Sequence, residues 1–194
     1  MTERMEQLYL EDLRVGQRFA SGTYVMEAPR IKAFAAEFDP QPFHIDESAA
    51  EATVFKGLAA SGWHTAAVAM RLLVTGGLPF ANGLVGLGGD IAWPRPTRPG
   101  DILHVESEIV EITPSRSKPH QGIVTVRSTM FNQNGEAVYL LTAKLLVLRR
   151  PQLIEGSPLI QKLAGRSSAS RVRLATAARE PRRDFRARHE QLGC

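Results

Sequence analysis

Cysteine is all but missing from this chain: among its 194 residues the only one is Cys194, the last. That rules out an internal disulfide framework and a cysteine-based metal site, and it suits a reducing compartment, so a cytoplasmic protein is the expectation. The five histidines show no spacing typical of a metal site, and no metal is expected. No stretch reaches the roughly 18 consecutive apolar residues that a membrane span needs. The first residues, Met1-Thr2-Glu3-Arg4-Met5-Glu6, have no apolar core and do not read as a signal peptide. Acidic residues are absent from the whole stretch 52–89.

Excess charge is also missing from most of the chain. Residues 1–150 carry 15 Lys and Arg against 16 Asp and Glu, whereas 151–194 carry nine against four. The net positive charge therefore belongs to the C-terminal stretch and argues poorly for nucleic-acid binding by the rest. The chain as a whole is 43% hydrophobic, ample for a core, and residues 1–150 are expected to form one domain. From Pro151 the pattern dissolves into Arg, Ser and Ala, so 151–194 is expected to be a basic, disordered tail.

What is present has a clear order. After a lead-in over 10–16, one strand is expected across Phe19–Val25. Ile31, Phe34, Ala35 and Phe38 recur at helical spacing, so a short amphipathic helix is expected over Ala28–Phe38, followed by another near Glu47–Phe55. Leu58–Val74 is Ala-rich and nearly uncharged, which marks a buried central helix with Ser61 as a plausible N-cap. Four strand-like segments follow: Gly83–Trp93, Ile102–Ile112, Gly122–Gln133 and Ala137–Leu148, the last two joined by the hairpin signal Asn134-Gly135. One buried helix and about four antiparallel strands imply an α+β plan with the sheet wrapped around the helix.

Phe38-Asp39-Pro40-Gln41-Pro42-Phe43-His44-Ile45-Asp46 carries the chemistry. Each proline biases its predecessor away from helix, so the segment is expected to be a rigid extended turn. Such a turn aims the Asp39 carboxylate and the His44 imidazole, a natural acid/base pair, at one point. Gly83–Gly89 superficially suggests a phosphate loop, but it lacks both the strand-then-helix context of a dinucleotide fingerprint and a Gly-Lys-Ser/Thr ending. Glycines in a strand, Gly88 among them, instead mark a close backbone approach. His64 reads as a packed histidine, and Trp63 and Trp93 as core or pocket wall. Arg95, Arg98 and Lys118 are basic residues that could meet phosphate groups, with solvated loops as the simpler reading.

These residues resemble the MaoC-like dehydratases, which include the (R)-specific enoyl-CoA hydratases. The likeness rests on Phe38–Asp46, Lys56–Trp63 and Trp93–Asp101, and covers roughly residues 10–150. The family pattern Asp-x-Asn-Pro-x-His-x-Asp stands here with Asp39, Pro42, His44 and Asp46 in place and Gln41 for the Asn. What the resemblance implies is a hot-dog fold, a homodimer or dimer of dimers as working unit, and water added to or removed from a 2-enoyl-CoA thioester without a further cofactor. It further implies that Asp39 and His44 hold the water and that the Gly62 amide receives the thioester oxygen. Gln41, Ser61, Trp63, Gly88 and Trp93 are then expected to contact substrate. A serine found on the central helix of some hydratases aligns with Met70. A hot-dog thioesterase would need an acidic residue near the central helix, where 52–89 has none. A non-catalytic acyl-CoA-binding module stays open because of Gln41 and Met70.

Overall fold

Alternation of apolar and polar residues along the second half of the chain builds an antiparallel sheet. The computed structural model describes residues 7–151, so the reading of 151–194 as a tail lies, beyond Pro151, outside the described residues. The strands are β1 (Arg18–Ala20), β2 (Tyr24–Val25), β3 (Val85–Ala92), β4 (Ile102–Pro114), β5 (Gln121–Phe131) and β6 (Ala137–Leu148). Their order is β1-β4-β5-β6-β3, with β2 also pairing β4. Along β4 as far as Ile109, and throughout β5, every second side chain is buried, as period-2 pleating requires.

The helices are α1 (Ala28–Phe38), α2 (Pro42–Ile45), α3 (Glu47–Glu51) and α4 (Gly62–Leu72). Val68, Ala69 and Leu72 of α4 join Val105, Ile109, Val126, Met130 and Val147 of the sheet in one buried core. This is the α+β hot-dog arrangement, a central helix held by an antiparallel sheet.

Three expectations need correction. The single strand over Phe19–Val25 is two short ones, because Ser21–Thr23 leave the ladder. There the Ser21 amide donates to the Val105 carbonyl, and the Ser21 hydroxyl accepts from the Val105 amide. The central helix is shorter than Leu58–Val74: Leu58–Ser61 is non-helical, and a wide turn over Leu73–Gly77 takes over at the far end, where Gly76 has φ 157°. Finally, the Pro-flanked segment is not wholly extended. Pro42 opens one turn of helix, which a proline permits at the first helical position because no N–H is needed there.

Candidate active site

Helix α1 ends at Asp39, and the one-turn α2 carries His44 inward, where it is buried. The His44 Nε2 lies 3.4 Å from Asp39 Oδ2. On its other side, Nδ1 is 2.7 Å from the Ala59 carbonyl. A carbonyl can only accept, so Nδ1 carries a proton and Nε2 is the nitrogen turned toward Asp39. Gln41 reaches back, its amide donating to Asp39 Oδ1 at 2.7 Å. Burial works to raise the Asp39 pKa, but the Ser61 hydroxyl, the Gln41 amide and His44 outweigh it and hold the carboxyl below its usual range. Asp46, the last acidic residue of the motif, caps α3 by accepting from the Ala49 amide at 2.8 Å. Its work is local folding.

The start of α4 faces the same space. Ser61 is fully buried and accepts from the Trp63 amide at 3.2 Å. The Gly62 amide, among the first of the helix, donates to no group among the described residues. Trp93 lies across this glycine: its indole Nε1 donates to the Gly62 carbonyl at 2.8 Å, and a Cβ at residue 62 would come within 3.0 Å of the ring. Glycine is therefore required by the tryptophan as well as by any ligand that approaches the amide. Asp39, His44, Phe43, Phe55, Gly62 and Trp93 line one cavity of about 440 Å³. The phenylalanine rings form its wall, with Phe43 and Phe55 centroids 5.0 Å apart and both close to His44.

Gln41 and Trp63 also line this cavity, and Ser61 faces Asp39 at its edge. Gly88 does not. It lies on β3 beside a second, apolar cavity of about 380 Å³, together with Met70 and Tyr139. There Gly88 occupies a bulge at φ 136°, a backbone conformation that L side chains rarely adopt. The close approach expected of a strand glycine belongs instead to Gly89, where a Cβ would sit 2.3 Å from the Thr142 carbonyl of β6. Met70, expected from the resemblance to stand where some hydratases have a serine, lines this second cavity and not the Asp39–His44 one. His64 is buried, stacked on Phe34 at 4.7 Å, and its Nδ1 lacks a hydrogen-bond partner among the described residues.

The basic residues divide. Arg95 lines the cavity and pairs with Glu136 at 3.4 Å. Lys118 sits in the β4–β5 turn, away from it. Arg98 is committed to backbone: its guanidinium donates to the carbonyls of Phe55, Gly57 and Leu58. Sequence reasoning missed that clamp, which steadies a turn strained by a positive φ at Lys56. Next to it the buried Thr65 hydroxyl donates to Thr97, and the Ala60 amide to the Thr97 carbonyl. The loop entering α4 is thereby stapled to the approach to β4. The one available signal was the density of polar residues in Pro96–Asp101.

No helix among the described residues is long and apolar enough to cross a membrane. Nor do the described residues hold a cluster of His, Cys, Asp and Glu that suits a metal ion. Comparison with known proteins converges on one family. The crystal structure of the MaoC-like dehydratase from Rhodospirillum rubrum is 61% identical, covers 75% of this chain and 99% of its own, and superposes with a TM-score of 0.74. The uncharacterized protein YdeM of Bacillus subtilis is 30% identical over 72% of this chain and 99% of its own length. A 3-hydroxybutyryl-CoA dehydratase of Methylorubrum extorquens is 26% identical over 85% of this chain and 98% of its own. Residues 15–131 match the model of the MaoC like domain, so the chain belongs to the MaoC-like dehydratase family.

Proposed function

We propose that the protein adds water to a 2-enoyl-CoA thioester, giving the (R)-3-hydroxyacyl thioester, and catalyses the reverse dehydration. The observation that carries this reading is the pairing of two groups across one cavity. A carboxylate and an imidazole lone pair stand 3.4 Å apart, facing the cavity that the unpartnered Gly62 amide also lines. A water held between Asp39 and Nε2 of His44 attacks C3 as Nε2 takes its proton. Electron density moves through C2 onto the thioester oxygen, which becomes an enolate. The Gly62 N–H and the positive end of α4 oppose that charge. The imidazolium, balanced by the adjacent carboxylate, then returns the proton to C2, so one water is added across the double bond and no further cofactor is consumed. Gln41, Ser61 and Trp63 position Asp39 and the acyl group.

The working unit is a homodimer in this reading. All eight residues of β3 are exposed, its outer edge has no partner strand among the described residues, and it presents Val85, Leu87 and Ile91. Exposed edges of this kind are templates for pairing with another strand. Light scattering on the purified protein should give twice the chain mass, and Leu87→Glu should shift it toward one.

The test of the chemistry is the conjugated enoyl-thioester absorbance. The protein should abolish it with formation of the (R)-3-hydroxy product. Saturable acyl-CoA binding with no loss of absorbance at any chain length would favour a non-catalytic module instead, and release of free thiol would favour a thioesterase.

A further inference from the structure

Two cavities share helix α4, and a single layer divides them. Thr65 lines the Asp39–His44 cavity, while the next residue, Ala66, lines the apolar one. At the end of β3 the same division recurs: Trp93 faces the first cavity and Ile91 the second. Tyr139, buried on β6, lines the apolar side with its ring 6.0 Å from that of Trp93. Trp93 is fixed in place by the hydrogen bond from its indole to the Gly62 carbonyl, and its ring stands edge-on to Trp63 at 5.6 Å and 78°. Beyond this layer lie Met70, Leu73, Ile91, Leu141 and Leu145, a lining that would favour burial of methylene groups.

We infer that Trp93 sets acyl length: its indole is the wall at which the acyl chain stops, so the enzyme selects short 2-enoyl thioesters. The inference rests on the hydratase reading for its substrate class. An acyl chain extended past C3, with its carbonyl at the Gly62 amide, meets the indole lying across that same residue. Swinging the ring aside would break its bond to Gly62 and its contacts with the Trp63 and Tyr139 rings. Removing it joins the two cavities and gives a longer chain an apolar bed. Trp93 is thus a specificity-determining residue whose effect is read in selectivity rather than in rate alone.

The experiment compares kcat/KM for trans-2-enoyl-CoA substrates of four to twelve carbons. The proteins are the wild type, Trp93→Ala, Trp93→Leu and Trp93→Phe, each with its melting curve. Wild type should favour four and six carbons over ten by about tenfold or more, the scale on which a closed apolar pocket discriminates. Trp93→Ala and Trp93→Leu should each raise the ten-to-four-carbon ratio by about tenfold, mainly through KM. Trp93→Phe keeps most of the bulk and loses the indole N–H, so it should lower rates at all lengths and leave the ratio within about twofold. A wild type that handles ten carbons as well as four overturns the inference, whatever the variants do. So does an unchanged ratio in folded Ala and Leu variants. Calorimetric titration with saturated butyryl- and decanoyl-CoA reads the same selectivity without turnover. Length-selective binding without hydration overturns the hydratase reading and leaves the wall standing. Hydration without length selectivity overturns the wall alone, and no binding of either ligand overturns both.

Discussion

The two cavities along α4 are built on opposite plans. Around Asp39 and His44 the side chains are held by neighbours: Gln41 and Ser61 hold the carboxylate, the Ala59 carbonyl holds the imidazole, and Arg98 holds the turn that leads to Ala59. The other cavity has no charged lining residue, and its one serine, Ser128, is occupied by a 2.8 Å bond to Ser107. The helix presents its N-terminal end, with a free amide and a partial positive charge, to the first, and its apolar flank to the second. Position along one short helix thus separates a polar cavity at its N-terminus from an apolar one along its flank.

The sharpest way to break the contrast is to remove the charge. Asp39→Asn and His44→Ala should each lower hydratase kcat by about 10²–10⁴-fold, the range of general acid–base catalysis, and the double variant should lose little more. Next is the scaffold of the polar side. Arg98→Met leaves three carbonyls of the 55–58 turn without their donor, and urea unfolding should show a loss of about 2 kcal/mol. Gly62→Ala forces a Cβ against the Trp93 ring and should cost about 1–2 kcal/mol by overpacking, with a fall in kcat.

A smaller effect is expected with pH. Burial first, and Arg30 second, depresses the His64 pKa, so the folded chain holds this ring neutral. The unfolded chain protonates it near pH 6.5, so its contribution to stability is complete above about 6.5 and drains as pH falls from there through the depressed folded value. His64→Phe, which keeps the stack on Phe34, should flatten the decline of Tm in that window. Asp39, also depressed, acts with the same sign further down: its contribution is present above about pH 3.9 and is lost as pH falls through the folded value. Least of all, Met70→Ser should change short-acyl turnover by less than about twofold and stability by about 0.5 kcal/mol, because Met70 is 47% exposed and lines only the apolar side.

Periodicity made much of the fold legible. Helix α1 occupies the range that its apolar spacing marks, and the four long strands lie within two residues of the expected ends. Local patterns carried that information, because burial of alternate or every third to fourth side chain is written along the chain itself. Ser61 as N-cap was readable for the same reason. Contacts between distant segments were not. Nothing near Gly62 announces that Trp93 will cover it, and nothing near Arg98 announces that its partners are carbonyls some forty residues earlier. The segment Pro40–His44 shows a third limit: the rules that discourage helix around proline also admit it as a first helical residue, and here the helical turn forms. Asp39 and His44 were identified by type and spacing, whereas the tautomer of the histidine follows from Ala59, fifteen residues away.

Ala59 joins the site twice. Its carbonyl accepts a hydrogen bond from His44 Nδ1 at 2.7 Å, and its own amide donates to the Phe43 carbonyl at 3.3 Å. One residue is therefore held at both its amide and its carbonyl by neighbouring residues of α2. Hydrogen exchange at the Ala59 amide thus counts the moments when the histidine is released from its orientation. An opening of the Arg98-clamped turn that reaches Ala59 would free the imidazole along with the backbone.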